Sequence, residues 1–268
     1  RYLIGDIREL KRCYLATKNI DIVIHAAAMK HVPICEYNRD ETFKTNVEGT
    51  NNLIKAAIKN KVKNFLFIST DKAADPTSVM GESKLIAEQN ILKANHKSST
   101  KFAAIRFGNI LLSRGSVVFK FIKQIKYGDR ITVTGKNISR FFVSINTAVN
   151  AIFESLKIMD GGEIFVIRKM PAFKIIDLAK ALKYFFKKKN RIKLIGLREG
   201  EKNFESLISN KESLIDHKKT SKLAVVVRKR NKEQLKIVTD SRKASHLHIN
   251  DITKILIKEK ISNYYNRI

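Results

Sequence analysis

The chain has 268 residues, 44% of them hydrophobic, which is enough for one large or two small domains around a proper core and identifies a globular protein. Its 53 Lys and Arg against 25 Asp and Glu give a formal charge of +28, which points to nucleic acid, an anionic membrane or acidic small molecules as partners, or to a Lys-rich bias spread over solvated faces, the reading favoured by lysines scattered through amphipathic segments. No apolar run approaches the about 18 residues that span a bilayer, the opening RYLIGDIREL lacks a signal-peptide layout, and Cys13 and Cys35 show no pairing or metal spacing, so a soluble, cytoplasmic chain is expected.

Through the first 110 residues, short β-rich apolar runs alternate with longer helical patterns, the signature of a parallel sheet covered by helices. Residues 2–4 read as a strand, 6–16 as a helix and 21–26 as a strand. A helix follows over 40–60, carried by Phe43, Val47, Leu53 and Ala57, then a strand at 64–69, a helix at 78–94 and a strand at 102–107. Beyond Gly108, glycines at 115, 128, 135, 161, 162, 196 and 200 punctuate shorter elements, as in a smaller second lobe. Residues 175–186 form an amphipathic helix; the tail from Ser209 is basic, with a strand-like KLAVVV and a last helix near 252–261. The densest basic runs, 180–193 and 217–243, carry no zinc-finger, RNP or basic-zipper pattern, so no specific nucleic acid is expected.

Open parallel sheets bind ligands at the carboxyl ends of their strands. In FISTDKAADPTSVMGESK, residues 67–84, a strand gives way at Thr70, Asp71 and Lys72 to a helix whose Met80 and Lys84, spaced i, i+4, share a face. A hydroxyl, a carboxylate and two amines thus converge on one volume. Taken alone, Asp71 equally reads as a turn cap, Lys72 as a solvated lysine and Lys84 as an outer-face residue. The neighbouring stretches favour a site: DIVIHAAAMKHVP ends a strand in the small Ala26, Ala27 and Ala28, followed at once by Lys30 and His31, while TNVEGTNNL and RFGNILLSRGS add Asn46 and Asn109. His25 reads as a packed strand residue.

Nine blocks occur in order: GDIRE, HAAAMKHVPICEYN, KTNVEGTNNL, STDKAADPTSVMGESK, RFGNILLSRGSVV, SRFFVSI, GGEIFV, KIIDLAKAL and LREGEKNFESL. Together they resemble the UDP-N-acetylglucosamine 4,6-dehydratases of the CapD-like polysaccharide-biosynthesis group, within the extended short-chain dehydrogenase/reductase superfamily. The resemblance implies an α/β fold with a Rossmann-like doubly wound parallel sheet, residues 1–110 forming part of a dinucleotide-binding domain. Residues 111–268 would carry a substrate lobe and return some segments to the nucleotide fold. It also implies an NAD- or NADP-dependent lyase in which hydride leaves C4 of the sugar, a base takes the C5 proton, an acid releases the C6 hydroxyl as water, and hydride returns to C6. On this resemblance Lys72 is the C5 base, Asp71 the acid for water loss, and Thr70 the hydrogen-bond partner of the C4 oxygen.

Met80 stands where the superfamily pattern Y-x-x-x-K has tyrosine, and a thioether cannot accept the C4 hydroxyl proton. Some dehydratases, the membrane-anchored branch included, resemble this chain here, which leaves that proton to Asp71 or to a water near Thr70. For the cofactor the resemblance implies Asp6 and Ile7 at the adenine, Ala26, Ala27, Ala28 and Asn46 around the pyrophosphate-side strand end, and Lys84 at the nicotinamide ribose. For UDP-N-acetylglucosamine it implies Lys30, His31, Asn109, Arg114, Arg198 and Glu201, with Arg140 equally readable as a structural ion-pair partner; no metal is implied.

The chain contains no G-x-G-x-x-G, so it is expected to be an N-terminally incomplete member, with membrane association, at the cytoplasmic face, arising only from upstream segments. Family members commonly form dimers or hexamers, which implies a homo-oligomer. Two other readings stand beside this one: a UDP-sugar 4-epimerase, against which TDK with Met80 argues, and a non-catalytic protein working through its basic surface.

Overall fold

The computed structural model describes residues 1–228 and 237–267. Residues 229–236, in the middle of the second basic run, lie outside the described residues. Residues 2–4 form no strand: no neighbouring strand among the described residues offers a ladder, and Tyr2 and Ile4 stand fully in solvent. Helix α1 (Leu10–Ala16) leads to strand β1 (Ile22–His25), and α2 (Val32–Tyr37) begins with a proline in its first turn. The periodic stretch 40–60 is not one regular helix. It runs from α3 (Arg39–Phe43) through a π turn (Lys44–Glu48) into α4 (Gly49–Lys59). Such a turn shifts the apolar stripe by one residue, too little for hydrophobic spacing alone to reveal.

Strand β2 (Asn64–Thr70) ends in a 3-10 turn (Asp71–Ala73), followed by α5 (Val79–Asn95) and β3 (Lys101–Phe107). The chain continues through β4 (Asn109–Ile110), α6 (Val117–Lys126), β5 (Ile131–Val133), β6 (Ser139–Val143), α7 (Ile145–Ile158), β7 (Ile164–Ile167), β8 (Ala172–Lys174), α8 (Ile175–Phe185) and β9 (Ile192–Leu194). It closes with β10 (Glu212–His217), β11 (Thr220–Arg228), α9 (Ile249–Lys258) and α10 (Ser262–Arg267).

The chain divides into two compact units. The first comprises Arg1–Phe107, Val149–Arg168 and Ser206–Ile237. Its sheet runs β1-β2-β3-β7-β11-β10: the first four strands are parallel, while β11 is antiparallel to both β7 and β10. Phe65, Leu66, Phe67, Phe102, Ile105 and Phe165 are buried along these strands, as a sheet covered on both faces requires. This is the α/β, parallel-dominated architecture expected from the alternation in the sequence.

The second unit comprises Gly108–Ala148, Lys169–Glu205 and Val238–Ile268. In it β6 pairs with β4 in parallel and with β8 antiparallel, and β5 pairs with β9 in parallel. Its core joins α6, α8 and α9 through Val118, Phe121, Ile122, Leu178, Leu182 and Leu256. No described helix is long and apolar enough to cross a membrane.

Candidate active site

The carboxyl end of β2 builds the site in the first unit. Thr70 is extended and caps the 3-10 turn, its Oγ1 accepting from Lys72 N at 3.4 Å. Its hydroxyl also donates to Asp71 Oδ1 at 2.9 Å, and Lys72 Nζ donates to the same oxygen at 2.9 Å. Asp71 is buried, Lys72 is partly exposed, and Asp71 Oδ2 is buried with no hydrogen-bond partner among the described residues. A buried carboxylate oxygen without a partner costs stability unless something polar comes to it. The first turn of α5 abuts this turn so closely that a Cβ on Gly81 would lie 2.6 Å from Lys72 O, and Ser78 Oγ fixes that end by accepting from Gly81 N at 3.1 Å.

Lys84, one turn further along α5, is buried; its Nζ donates to Ile68 O at 2.6 Å and sits 4.0 Å from the centre of the Phe67 ring. Burial pushes its pKa down to about 7 against the pull of Glu88 one turn on. His25, at the end of β1, is pushed down to about 3 by burial and by the Lys84 charge. Thr50 Oγ1 donates to Asn46 O at 2.6 Å, so its 2.9 Å contact with His25 Nε2 makes that nitrogen the donor. His25 is thus neutral, with Nδ1 buried and without a hydrogen-bond partner among the described residues.

For both groups burial sets the direction: the Lys84 charge adds to it at His25, and Glu88 opposes it at Lys84 without reversing it. Between pH about 3 and 6.5 for His25, and between about 7 and 10.5 for Lys84, the unfolded chain binds more protons than the folded one, so stability rises with pH across both windows. Urea unfolding followed from pH 6 to 10 is expected to show that rise, and Lys84→Met is expected to remove its part above pH 7. A stability that falls between pH 7 and 9 in both proteins contradicts it.

Met80 packs among Cys35, Val79, Met29, Val32 and Phe43. Met80→Tyr therefore overfills a buried cluster and is expected to cost roughly 1–3 kcal/mol, read as a lower urea midpoint at unchanged slope; an unchanged midpoint would show that the cluster has room. Asn46, in the π turn, is fully engaged within the protein: Oδ1 accepts from Met29 N at 2.8 Å, and Nδ2 donates to Met29 O at 3.0 Å and to Ser83 Oγ at 2.9 Å. It clasps the segment after β1 to α5.

Of the other predicted residues in this unit, Ala26 and Ala27 are exposed beyond β1 and Ala28 is half-buried. Lys30 and His31 have exposed surface, although burial lowers the Lys30 amine pKa. Arg8 takes up both carboxylate oxygens of Asp6 and lowers its pKa. The Ile7 side chain lies against Gly49 of α4, and its carbonyl accepts from Asn52 Nδ2 at 3.1 Å.

In the second unit Asn109 pairs with Phe142 through β4, and Arg114 lies exposed in the turn that follows. Glu201 accepts from Arg198 N at 3.3 Å and from Thr134 Oγ1 at 3.0 Å, and it faces Arg140 at 3.5 Å. Sequence reasoning missed Lys120, whose pKa is lowered by burial and by the neighbouring Arg198. The one signal for it is a lysine inside the apolar run VVFKFIK, four residues after Ser116.

A family described as "Polysaccharide biosynthesis protein" matches residues 1–228. The chain belongs to this family. A UDP-N-acetylglucosamine 4,6-dehydratase (inverting) of Campylobacter jejuni is 43% identical over 217 residues, 80% of this chain and 64% of that protein. A UDP-glucose 4-epimerase of Rickettsia canadensis is 44% identical over 215 residues, 79% of this chain and 63% of its own length. The chain thus spans less than two thirds of the length of these two relatives. The X-ray structure of Pen from Bacillus thuringiensis matches with a TM-score of 0.89 at 36% identity, over 97% of this chain and 82% of that one.

Proposed function

We propose that the protein is a nucleotide-sugar 4,6-dehydratase that converts UDP-N-acetylglucosamine into a UDP-4-keto-6-deoxy sugar for polysaccharide synthesis. The observation that carries this reading is the buried Asp71 carboxylate, with Oδ1 held by Thr70 and Lys72 and Oδ2 uncommitted. Epimerisation at C4 needs one proton acceptor for one hydroxyl. Loss of water needs two further groups, a base at C5 and an acid at the C6 oxygen, and Lys72 and Asp71 supply them side by side.

The residues present fit the nicotinamide half of a dinucleotide: Ala26 and Ala27 leave the backbone beyond β1 open to approach, and Lys84 Nζ, oriented by its hydrogen bond to Ile68 O, keeps at least one further N–H to give. Bound NAD or NADP supplies acceptance of the C4 hydride and its return to C6. The chain's own groups move the protons. A C4 hydroxyl that donates to Thr70 Oγ1 passes its proton through that hydroxyl to Asp71. The carboxylic acid so formed protonates the departing C6 oxygen, which leaves as water. Lys72 takes the C5 proton as a neutral amine, which requires it to give up the contact with Asp71 Oδ1 that it makes without substrate, and it gives a proton back to C5 when C6 is reduced. Both residues end as they began. Met80, packed in its apolar cluster, takes no proton. In the second unit Arg198 and Lys120 offer a pair of cations suited to a diphosphate, and Glu201 holds the Arg198 backbone.

The name of the Rickettsia relative favours a second reading, a UDP-sugar 4-epimerase. Mass spectrometry of the sugar nucleotide after incubation with UDP-N-acetylglucosamine or UDP-glucose and dinucleotide separates the two. Loss of one water from UDP-N-acetylglucosamine is the expected result. An isomer of unchanged mass from either sugar identifies the epimerase instead.

A further inference from the structure

The second unit contains two helix–loop–strand segments, α6 into β5 and α8 into β9. Their strands pair in parallel, with Ile131 opposite Ile192. The two loops before them therefore lie side by side at one end of the ladder. Two contacts bind them together: Ile131 N donates to Arg191 O at 2.9 Å, and Asn190 Nδ2 donates to Asp129 O at 2.8 Å. The exposed side chains this brings together are Arg130 from one loop and Lys187, Lys188, Lys189 and Arg191 from the other, against the single carboxylate of Asp129. None of these five cations has an ion-pair partner among the described residues.

Local structure explains only part of the cluster. Cations near the carboxyl end of α8 are favoured by its dipole, but Arg130, Lys189 and Arg191 lie beyond that end. Lys187 has φ +50, a left-handed conformation in which glycine is favoured, so a cation occupies a position whose backbone does not call for it. Five like charges held together by backbone contacts repel one another and gain only when an anionic surface covers them.

The neighbouring uncharged residues indicate which surface. Tyr184 at the end of α8 and Tyr127 at the end of α6, each leading into one of the two loops, are 70% and 60% exposed. Cations beside amphipathic tyrosine rings match a bilayer interface, where such rings sit at the level of the headgroup phosphates. We propose that this face of the second unit docks peripherally on an anionic lipid surface. The inference is independent of the dehydratase reading, because lipid binding requires no turnover.

The test is co-sedimentation of the protein with phosphatidylcholine vesicles with and without phosphatidylglycerol, at low salt. Two matched charge-neutralising variants are compared, Lys187→Gln/Lys188→Gln/Lys189→Gln in the patch and Lys18→Gln/Lys55→Gln/Lys97→Gln on exposed positions of the first unit. Binding only to vesicles with phosphatidylglycerol, an about hundredfold drop in partitioning for the patch variant, and a much smaller drop for the control support the proposal. Tyr184→Ser, at an exposed position that folding does not need, is expected to weaken vesicle binding further. Equal losses in the two triple variants reduce the effect to net charge and overturn it, as does absence of binding. Release from the vesicles by duplex DNA at equal phosphate concentration would assign the patch to nucleic acid instead.

Discussion

Lys72→Met is expected to lower formation of the 4-keto-6-deoxy product by about a hundred- to ten-thousandfold, the usual share of a general base, while binding of UDP-N-acetylglucosamine changes little. The methyl thioether keeps the length of the side chain and the 3-10 turn that Thr70 caps, so the turn survives and one proton acceptor is lost. The reaction should then stop after C4 oxidation, and a quenched single turnover should contain a sugar nucleotide that retains its C6 hydroxyl. A matching fall in substrate affinity, with turnover per bound substrate unchanged, would mark Lys72 as a binding residue.

Arg106→Met is expected to have the largest effect on stability. Arg106 is fully buried on β3, and each of its five N–H groups has an acceptor. Nε and Nη2 donate to Glu88 at 3.0 and 2.6 Å, Nη1 and Nη2 to Glu212 at 2.9 Å each, and Nη1 to Leu207 O at 3.0 Å. Burial opposes the guanidinium charge, but Glu88 and Glu212 outweigh it and raise its pKa. Removing the cation leaves the buried Glu88 carboxylate unpaired beside the partly exposed Glu212, at a cost of about 3–5 kcal/mol in urea unfolding. Changing all three to apolar residues, Arg106→Met/Glu88→Met/Glu212→Leu, should recover much of that loss, since the desolvation of three charges disappears with them. A single substitution that costs less than the triple would contradict this reading. Glu88 also lies one turn from Lys84 and accepts from Ser69 Oγ at 2.7 Å, so the network ends beside the site.

The sequence showed the order of strands and helices in the first unit because each β-rich run there is short, apolar and followed by a break, and because Ser78 announces α5 three residues before the Gly81 amide it caps. The cluster of Thr70, Asp71 and Lys72 was legible for the same reason: polar residues at the end of an apolar strand stay together whatever the rest of the chain does. What depended on distant partners was not legible. Arg106 reads as one charge in an apolar run, and its partners lie 18 and 106 residues away. Asn46 looked like a ligand contact, yet its amide is engaged by Met29 and Ser83 through a π turn that periodicity does not register. Residues 2–4 have strand composition without a strand beside them among the described residues, and composition cannot supply the partner.

The central claim is that Lys72 and Asp71 move the protons of water loss at C5 and C6. Its most direct test is the reaction of UDP-N-acetylglucosamine in D2O, with the product examined by NMR for the wild type and for Lys72→Met. The account predicts deuterium at C5 of a dehydrated product from the wild type, and neither exchange at C5 nor loss of water from the variant. Deuterium at C5 at an undiminished rate in the variant would contradict it.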